Sequence, residues 1–174
     1  ILQPELAAEI TLQPVRRYGV DAAVLFSDIV TPVHAIGVDI DVVPGIGPVV
    51  EQPFRSRADL GRLRPLDPEA DTPYVLETIK AVISATDVPL IGFAGAPFTV
   101  ASYLIEGRPS RTYGATKALM LGDEALWFDL MEALGDLAIA SIRSQVNAGA
   151  RAVQLFDSWA GALTPAHYRR YVLP

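Results

Sequence analysis

The chain has 174 residues, 51% of them hydrophobic and 20% charged, with 14 prolines, no cysteine and a formal net charge of −6. That is ample for one domain with a real core. It excludes an intrinsically disordered protein, a membrane span of roughly 20 apolar residues and, through its acidity, a general nucleic-acid binder. Without cysteine there are no disulfides, thiolate nucleophiles or sulfur-ligated metals, and His34 and His167 are too few for a histidine-rich metal site; a soluble, cytoplasmic globular protein with many proline-built loops is the expectation.

Taken in chain order, residues 5–18 carry Leu6, Ile10, Val15 and Tyr18 at near-helical spacing and end at Gly19, a C-cap. The apolar run from Ala22 to Phe26 reads as a buried strand. A long proline-rich stretch, 31–74, follows. Within it Ile40-Asp41-Val42-Val43 and Pro48-Val49-Val50 flank Pro44-Gly45-Ile46-Gly47, which predicts a hairpin insertion. Thr72-Pro73 marks an N-cap and first helical position for a helix over 73–85. A second strand runs from Pro89 to Phe93. The longest helical pattern, 123–147, carries Leu126, Leu130, Leu134, Leu137, Ile142 and Val146 and stops at Gly149, before a third strand from Ala152 to Phe156.

The three runs are continuous, which predicts parallel strands covered on both faces. Helix, short turn and buried strand in repetition make an α/β fold with a parallel sheet. An internal echo, Tyr18 to Asp28 against Ala148 to Ser158, reads as two equivalent structural units. Three strands cannot close a barrel, and neither Ile1 nor Pro174 sits in a signal peptide or polar tail. The expectation is a fragment of a longer chain.

In parallel α/β folds ligands bind at the carboxyl ends of the strands, here Ser27-Asp28, Ala94-Gly95-Ala96-Pro97 and Asp157-Ser158. Asp28 is the sharpest candidate, as a cleft carboxylate that could stabilise a developing cation; the alternative is a cap for the following turn. The small residues after the second strand, Ala94-Gly95-Ala96, would let a ligand approach the backbone, and Pro97 would start a short helix carrying Tyr103, either a mouth hydroxyl or a core tyrosine. Ser158 lacks the GxSxG context of a nucleophile and reads as a ligand donor or turn residue. Gly45-Ile46-Gly47 alone does not make a phosphate site. His34 and His167 read as surface or capping residues, and Glu106 with Arg108 and Arg111 as a solvated loop.

At these segments the chain resembles the uroporphyrinogen decarboxylases of haem biosynthesis. The strings that carry the resemblance are Leu25-Phe26-Ser27-Asp28-Ile29, Val43 to Pro48, Gly92 to Thr99 continuing through Tyr103 and Glu106-Gly107, and Gln154 to Ser158, in the family's order. The resemblance implies a (β/α)8 TIM barrel, with residues 1–174 a single-domain fragment supplying about three βα units and the hairpin insertion. It implies a cofactor-independent carboxy-lyase that converts the four acetate side chains of uroporphyrinogen III to methyl groups, giving coproporphyrinogen III, with no metal or organic cofactor, in a homodimer.

Carried over by motif, Asp28 would receive the pyrrole N–H groups as the catalytic carboxylate, Tyr103 would hydrogen-bond near it, and Ser158 would contact a substrate carboxylate. The family's arginine-bearing segment ahead of this region and its histidine-bearing segment near the C-terminus are not in the chain, so the fragment alone is expected to be inactive. Two other readings are a zinc-dependent corrinoid-linked methyltransferase on the same barrel, disfavoured by the lack of cysteine, and a degenerate barrel that binds a tetrapyrrole without catalysis.

Overall fold

The computed structural model describes residues 1–174. Pro4 opens helix α1 (Pro4–Tyr18), where its missing N–H is not needed, and Gly19 closes it in the left-handed region at φ 62°. The turn delivers the chain into β1 (Ala23–Val24). The proline-rich stretch holds more regular structure than its composition suggests. It contains α2 (Thr31–Ala35), the antiparallel pair β2 (Ile40–Val43) and β3 (Gly47–Val50), a 3-10 turn at Arg57–Arg62 and α3 (Pro68–Asp71). The hairpin is the one expected, with Ile40 opposite Val50 and Val43 opposite Gly47.

Helix α4 (Pro73–Ala85) also begins where the Thr72-Pro73 step places it. Thr72 is not a side-chain cap, however. Its hydroxyl donates back to the Pro68 carbonyl at 3.1 Å, so the proline at the first position, and not a cap, sets the start of α4. After β4 (Leu90–Gly95) come α5 (Pro97–Glu106), α6 (Gly114–Gly122) and α7 (Glu124–Ala148). Asp123 caps α7 by accepting the Leu126 N–H at 3.0 Å. Gly149, at φ 122°, turns the chain into β5 (Ala152–Phe156), which is followed by α8 (Pro165–Tyr171). Gly19 and Gly149 do equivalent work ahead of β1 and β5, which explains the echo between those segments.

β1, β4 and β5 form one parallel sheet in sequence order, with Ala23 opposite Leu90 and Ile91 opposite Ala152. Ala23, Leu25, Leu90 and Ala94 share one face and are buried; α1 and α4 pack with β1 and β4, and α7 with β4 and β5. The opposite face carries Val24, Phe26, Ile91, Phe93 and Phe156. Val24 is 53% and Phe26 41% exposed, so the strands are not covered on both faces as their apolar runs predict. Consecutive parallel strands backed by helices on one side make an arc, whose other face these elements leave open. β5 is exposed along its whole length as the edge strand.

Two apolar cores lie behind the arc. Ala8, Leu12, Leu25, Ile79, Val82 and Leu90 join α1 and α4 to the sheet. A larger core centred on Phe98, Leu104, Trp127 and Leu130 joins α5 and α7 to the hairpin and α2. Burying each such side chain is worth about 1.5–3 kcal/mol. Trp127, fully buried, donates from Nε1 to the Tyr171 carbonyl at 2.8 Å and so ties α8 to α7. The effect is to hold the carboxyl ends of the three strands at one rim.

Candidate active site

The strand ends meet as expected. Ala96 N–H donates to the Phe156 carbonyl at 2.9 Å, which joins the ends of β4 and β5. Gly95 abuts Ile29, just past β1: a Cβ there would stand 2.9 Å from Ile29 Cβ and 2.6 Å from Val100 Cγ2. The small residues of this segment therefore make room for the protein's own packing and not for a ligand. Gly92 is the same case, since its Cβ would meet Gln145 Oε1 at 2.5 Å.

Asp28, half-buried, leads the chain from β1 into α2. Its Oδ1 accepts the Val30 N–H at 3.0 Å, and its backbone carbonyl accepts the Thr31 N–H at 3.2 Å. The turn-capping role is thus present, and Oδ2 accepts no hydrogen bond from residues 1–174. Tyr103 lies on α5, half-buried, with its ring against Trp159 at a centroid separation of 4.0 Å. Burial, and then the negative charge of Asp28, hold the Tyr103 phenol above its ordinary pKa. Both effects favour the neutral phenol, which can donate a hydrogen bond.

Ser158 follows β5 at the same rim. It is exposed and its hydroxyl has no partner in the chain. The structure therefore gathers Asp28, Tyr103 and Ser158 at one end of the sheet, from three different strand ends.

Three residues at this rim were not singled out by pattern. Thr99, fully buried, donates to Asp157 Oδ1 at 2.7 Å and accepts the Trp159 N–H at 3.2 Å. Tyr113 also packs against Trp159, with ring centroids 5.1 Å apart. The only signal for them was local: an aromatic next to Asp157-Ser158, and a threonine one turn into the helix that Pro97 starts. Glu106 also departs from expectation. Its Oε1 accepts from both the N–H and the hydroxyl of buried Thr116, at 2.8 and 3.0 Å, so it ties α5 to α6 instead of sitting in a solvated loop. Arg108 and Arg111 are exposed, without ion-pair partners.

His34 Nδ1 lies 3.1 Å from the Ile40 carbonyl, and His167 N–H donates to the Thr164 cap at 3.2 Å. His34, Asp28, Asp41 and Tyr74 line a cavity of about 150 Å3, small beside ligand pockets of about 300–1,000 Å3. A roomier groove of about 540 Å3 lies between α7 and β5, lined by Ile139, Ile142, Val146 and Leu155; apart from Arg143 and Asn147 it carries no polar or charged side chain. No three His, Asp or Glu side chains gather closely enough to hold a metal ion, and no helix is long and apolar enough to cross a membrane.

Comparison with known proteins adds a family to this geometry. The sequence model of the uroporphyrinogen decarboxylase (URO-D) family matches residues 1–174. A uroporphyrinogen decarboxylase of Streptomyces avermitilis is 61% identical, over 99% of this chain and 49% of its own length. One from Mycobacterium tuberculosis is 56% identical, over 99% and 48%. The chain spans about half the length of the curated relatives it matches. Among solved structures, a methyltransferase from Methanosarcina mazei superposes with a TM-score of 0.82, covering 98% of this chain and 51% of that one at 24% identity. At that identity the likeness concerns the fold alone, and it agrees with an arc of a (β/α)8 barrel.

Proposed function

This chain belongs to the uroporphyrinogen decarboxylase family, and on that premise we propose that the protein containing it is a carboxy-lyase of porphyrin biosynthesis that converts the four acetate side chains of uroporphyrinogen III to methyl groups, yielding coproporphyrinogen III. The observation that carries the reading is the carboxylate at the rim: Asp28 is half-buried, with one oxygen free of donors among residues 1–174 and its charge felt by the Tyr103 phenol.

The chemistry requires such a group. A pyrrole acetate loses carbon dioxide slowly because the electrons of the breaking C–C bond have nowhere to go. A proton added to the ring carbon creates a cationic electron sink. Carbon dioxide then leaves, its bonding electrons neutralise the ring, and a proton taken up at the exocyclic carbon as the ring proton departs completes the methyl group. Each acetate carboxylate thus consumes one proton and releases one carbon dioxide. Asp28 would accept the pyrrole N–H groups and stabilise the cation where it develops, a contribution of several kcal/mol in a water-poor cleft. Tyr103 would donate a hydrogen bond nearby, and the free hydroxyl of Ser158 would meet a substrate carboxylate.

The macrocycle would lie across the open face of the arc, against Phe26, Phe93 and Phe156. The remainder of the barrel would close that face and supply cations for a substrate with eight carboxylates, so residues 1–174 alone would be inactive. The family resemblance further supports a cytoplasmic homodimer working without metal or organic cofactor.

The test is to incubate the full-length protein with freshly reduced uroporphyrinogen and separate the products by carboxylate number. A descending series ending at the tetracarboxylate is expected. Unchanged octacarboxylate would overturn the assignment.

A further inference from the structure

Trp159 packs against two tyrosine rings from different parts of the rim. Its indole lies 4.0 Å from the Tyr103 centroid, tilted by 35°, and 5.1 Å from Tyr113, tilted by 56°. The backbone on which it stands is itself fixed: Trp159 N–H donates to Thr99 Oγ1 at 3.2 Å, and the Thr99 hydroxyl donates to Asp157 Oδ1 at 2.7 Å. Thr99 is wholly buried, so the loop after β5 is anchored to the start of α5, the helix that carries Tyr103.

Tyr113 is the only non-glycine residue with positive φ, at 54°. A side chain persists in that conformation only where its surroundings over-determine it; here the indole face and the bond from Tyr113 N–H to Ser110 Oγ, 3.0 Å, do so. None of the three aromatic residues is fully buried, and Tyr103 and Trp159 pack against the larger core from the rim.

We propose that Trp159 is a positioning residue for Tyr103: with its backbone held by Thr99 and its ring packed against Tyr113 as well, its indole fixes the plane of the Tyr103 ring and with it the place of the hydroxyl at the rim. This rests on the role given to Tyr103 in the decarboxylation reading. A phenol hydroxyl sits at the far end of its side chain, so freedom of the ring becomes displacement of the donor, and small misplacements at a reacting centre are costly in rate.

The test is a double-mutant cycle in the full-length protein, using Tyr103→Phe, Trp159→Leu and their combination, with Trp159→Phe as the conservative variant. Trp159→Leu and Tyr103→Phe should each lower kcat about tenfold with KM moved less than twofold, and the double variant should be no slower than Tyr103→Phe. Trp159→Phe should keep at least about half of the wild-type kcat. Losses that multiply, an unchanged kcat in Trp159→Leu, or an unchanged kcat in Tyr103→Phe would each overturn the proposal.

A second reading needs no turnover. The phenolate absorbance step that disappears in Tyr103→Phe should move down toward ordinary tyrosine in Trp159→Ala, as the ring is exposed; a step that stays in place would overturn the proposal. If the wild type releases no carbon dioxide but this step moves, the decarboxylation reading falls and only the packing of Trp159 on Tyr103 stands.

Discussion

Gln145 grips the backbone of Phe93 with both ends of its amide. Nε2 donates to the Phe93 carbonyl at 2.8 Å, and Oε1 accepts the Phe93 N–H at 2.9 Å. The last rung between β1 and β4 is Leu25 N–H to the Ile91 carbonyl, at 3.0 Å. The next would fall on Phe93, but β1 has already turned away toward Asp28. A side chain from α7 therefore takes the place of a strand, and Gly92 leaves the space for it.

Replacing Gln145 by Leu keeps the volume and strands two backbone groups in a buried position, at a cost of about 2–4 kcal/mol. Gly92→Ala, which pushes a methyl group against the amide, should cost about 1–2 kcal/mol. Urea unfolding of the full-length variants measures both. A Gln145→Leu midpoint equal to wild type would show that the clamp contributes nothing.

Asp28→Asn retains the turn, because an amide oxygen can still accept the Val30 N–H, but removes the charge. The cation that the charge would stabilise exists only along the reaction path. Turnover should fall about 100- to 1,000-fold, the range seen when one electrostatic stabiliser is removed, while KM moves far less. Steady-state kinetics on uroporphyrinogen decides it, and near wild-type turnover would remove Asp28 from the mechanism.

Asp71 should make folding stability acid-sensitive in a defined window. The Arg64 guanidinium, paired with it at 2.7 and 2.8 Å, and the Asp67 N–H lower its pKa from 3.8 to about 2. The folded value lies below the unfolded one, so the folded state holds fewer protons. The contribution is complete above the unfolded value and is lost as pH falls from about 4 through about 2. Arg64 is half exposed, so solvent screening keeps the effect to about 1 kcal/mol or less. Wild type should exceed Asp71→Asn in stability at pH 6 and converge with it near pH 2. A constant difference between pH 6 and pH 2 would assign the effect to packing instead of charge.

Much of the candidate site was legible one residue at a time. Asp28, Tyr103 and Ser158 were marked by their positions at strand ends or on the helix that follows, and the structure brings them to one rim. What pattern could not supply was partnership. Thr99 reaches Asp157 and Trp159 across some 60 residues of sequence, and nothing in the Phe98-Thr99-Val100 string names its partners. Glu106 looked solvated because two arginines follow it, whereas it is held by Thr116. The small residues after the second strand were read as leaving room for a ligand. Only the fold shows that Gln145, Ile29 and Val100 occupy that space.

The sequence by itself determined the local boundaries of this protein: Gly19 and Gly149 ending helices, Pro73 and Pro97 starting them, and Pro44 to Gly47 folding a hairpin. Each depends on the conformations open to one or two residues, which neighbours in the chain largely dictate. Tertiary structure alone decided which face of the sheet is covered and which is open. Val24 and Phe26 belong to the same apolar run as Ala23 and Leu25, yet only the latter pair meets helices. Burial is a property of what packs against a strand, and an apolar run is the same string whether one face or two is covered.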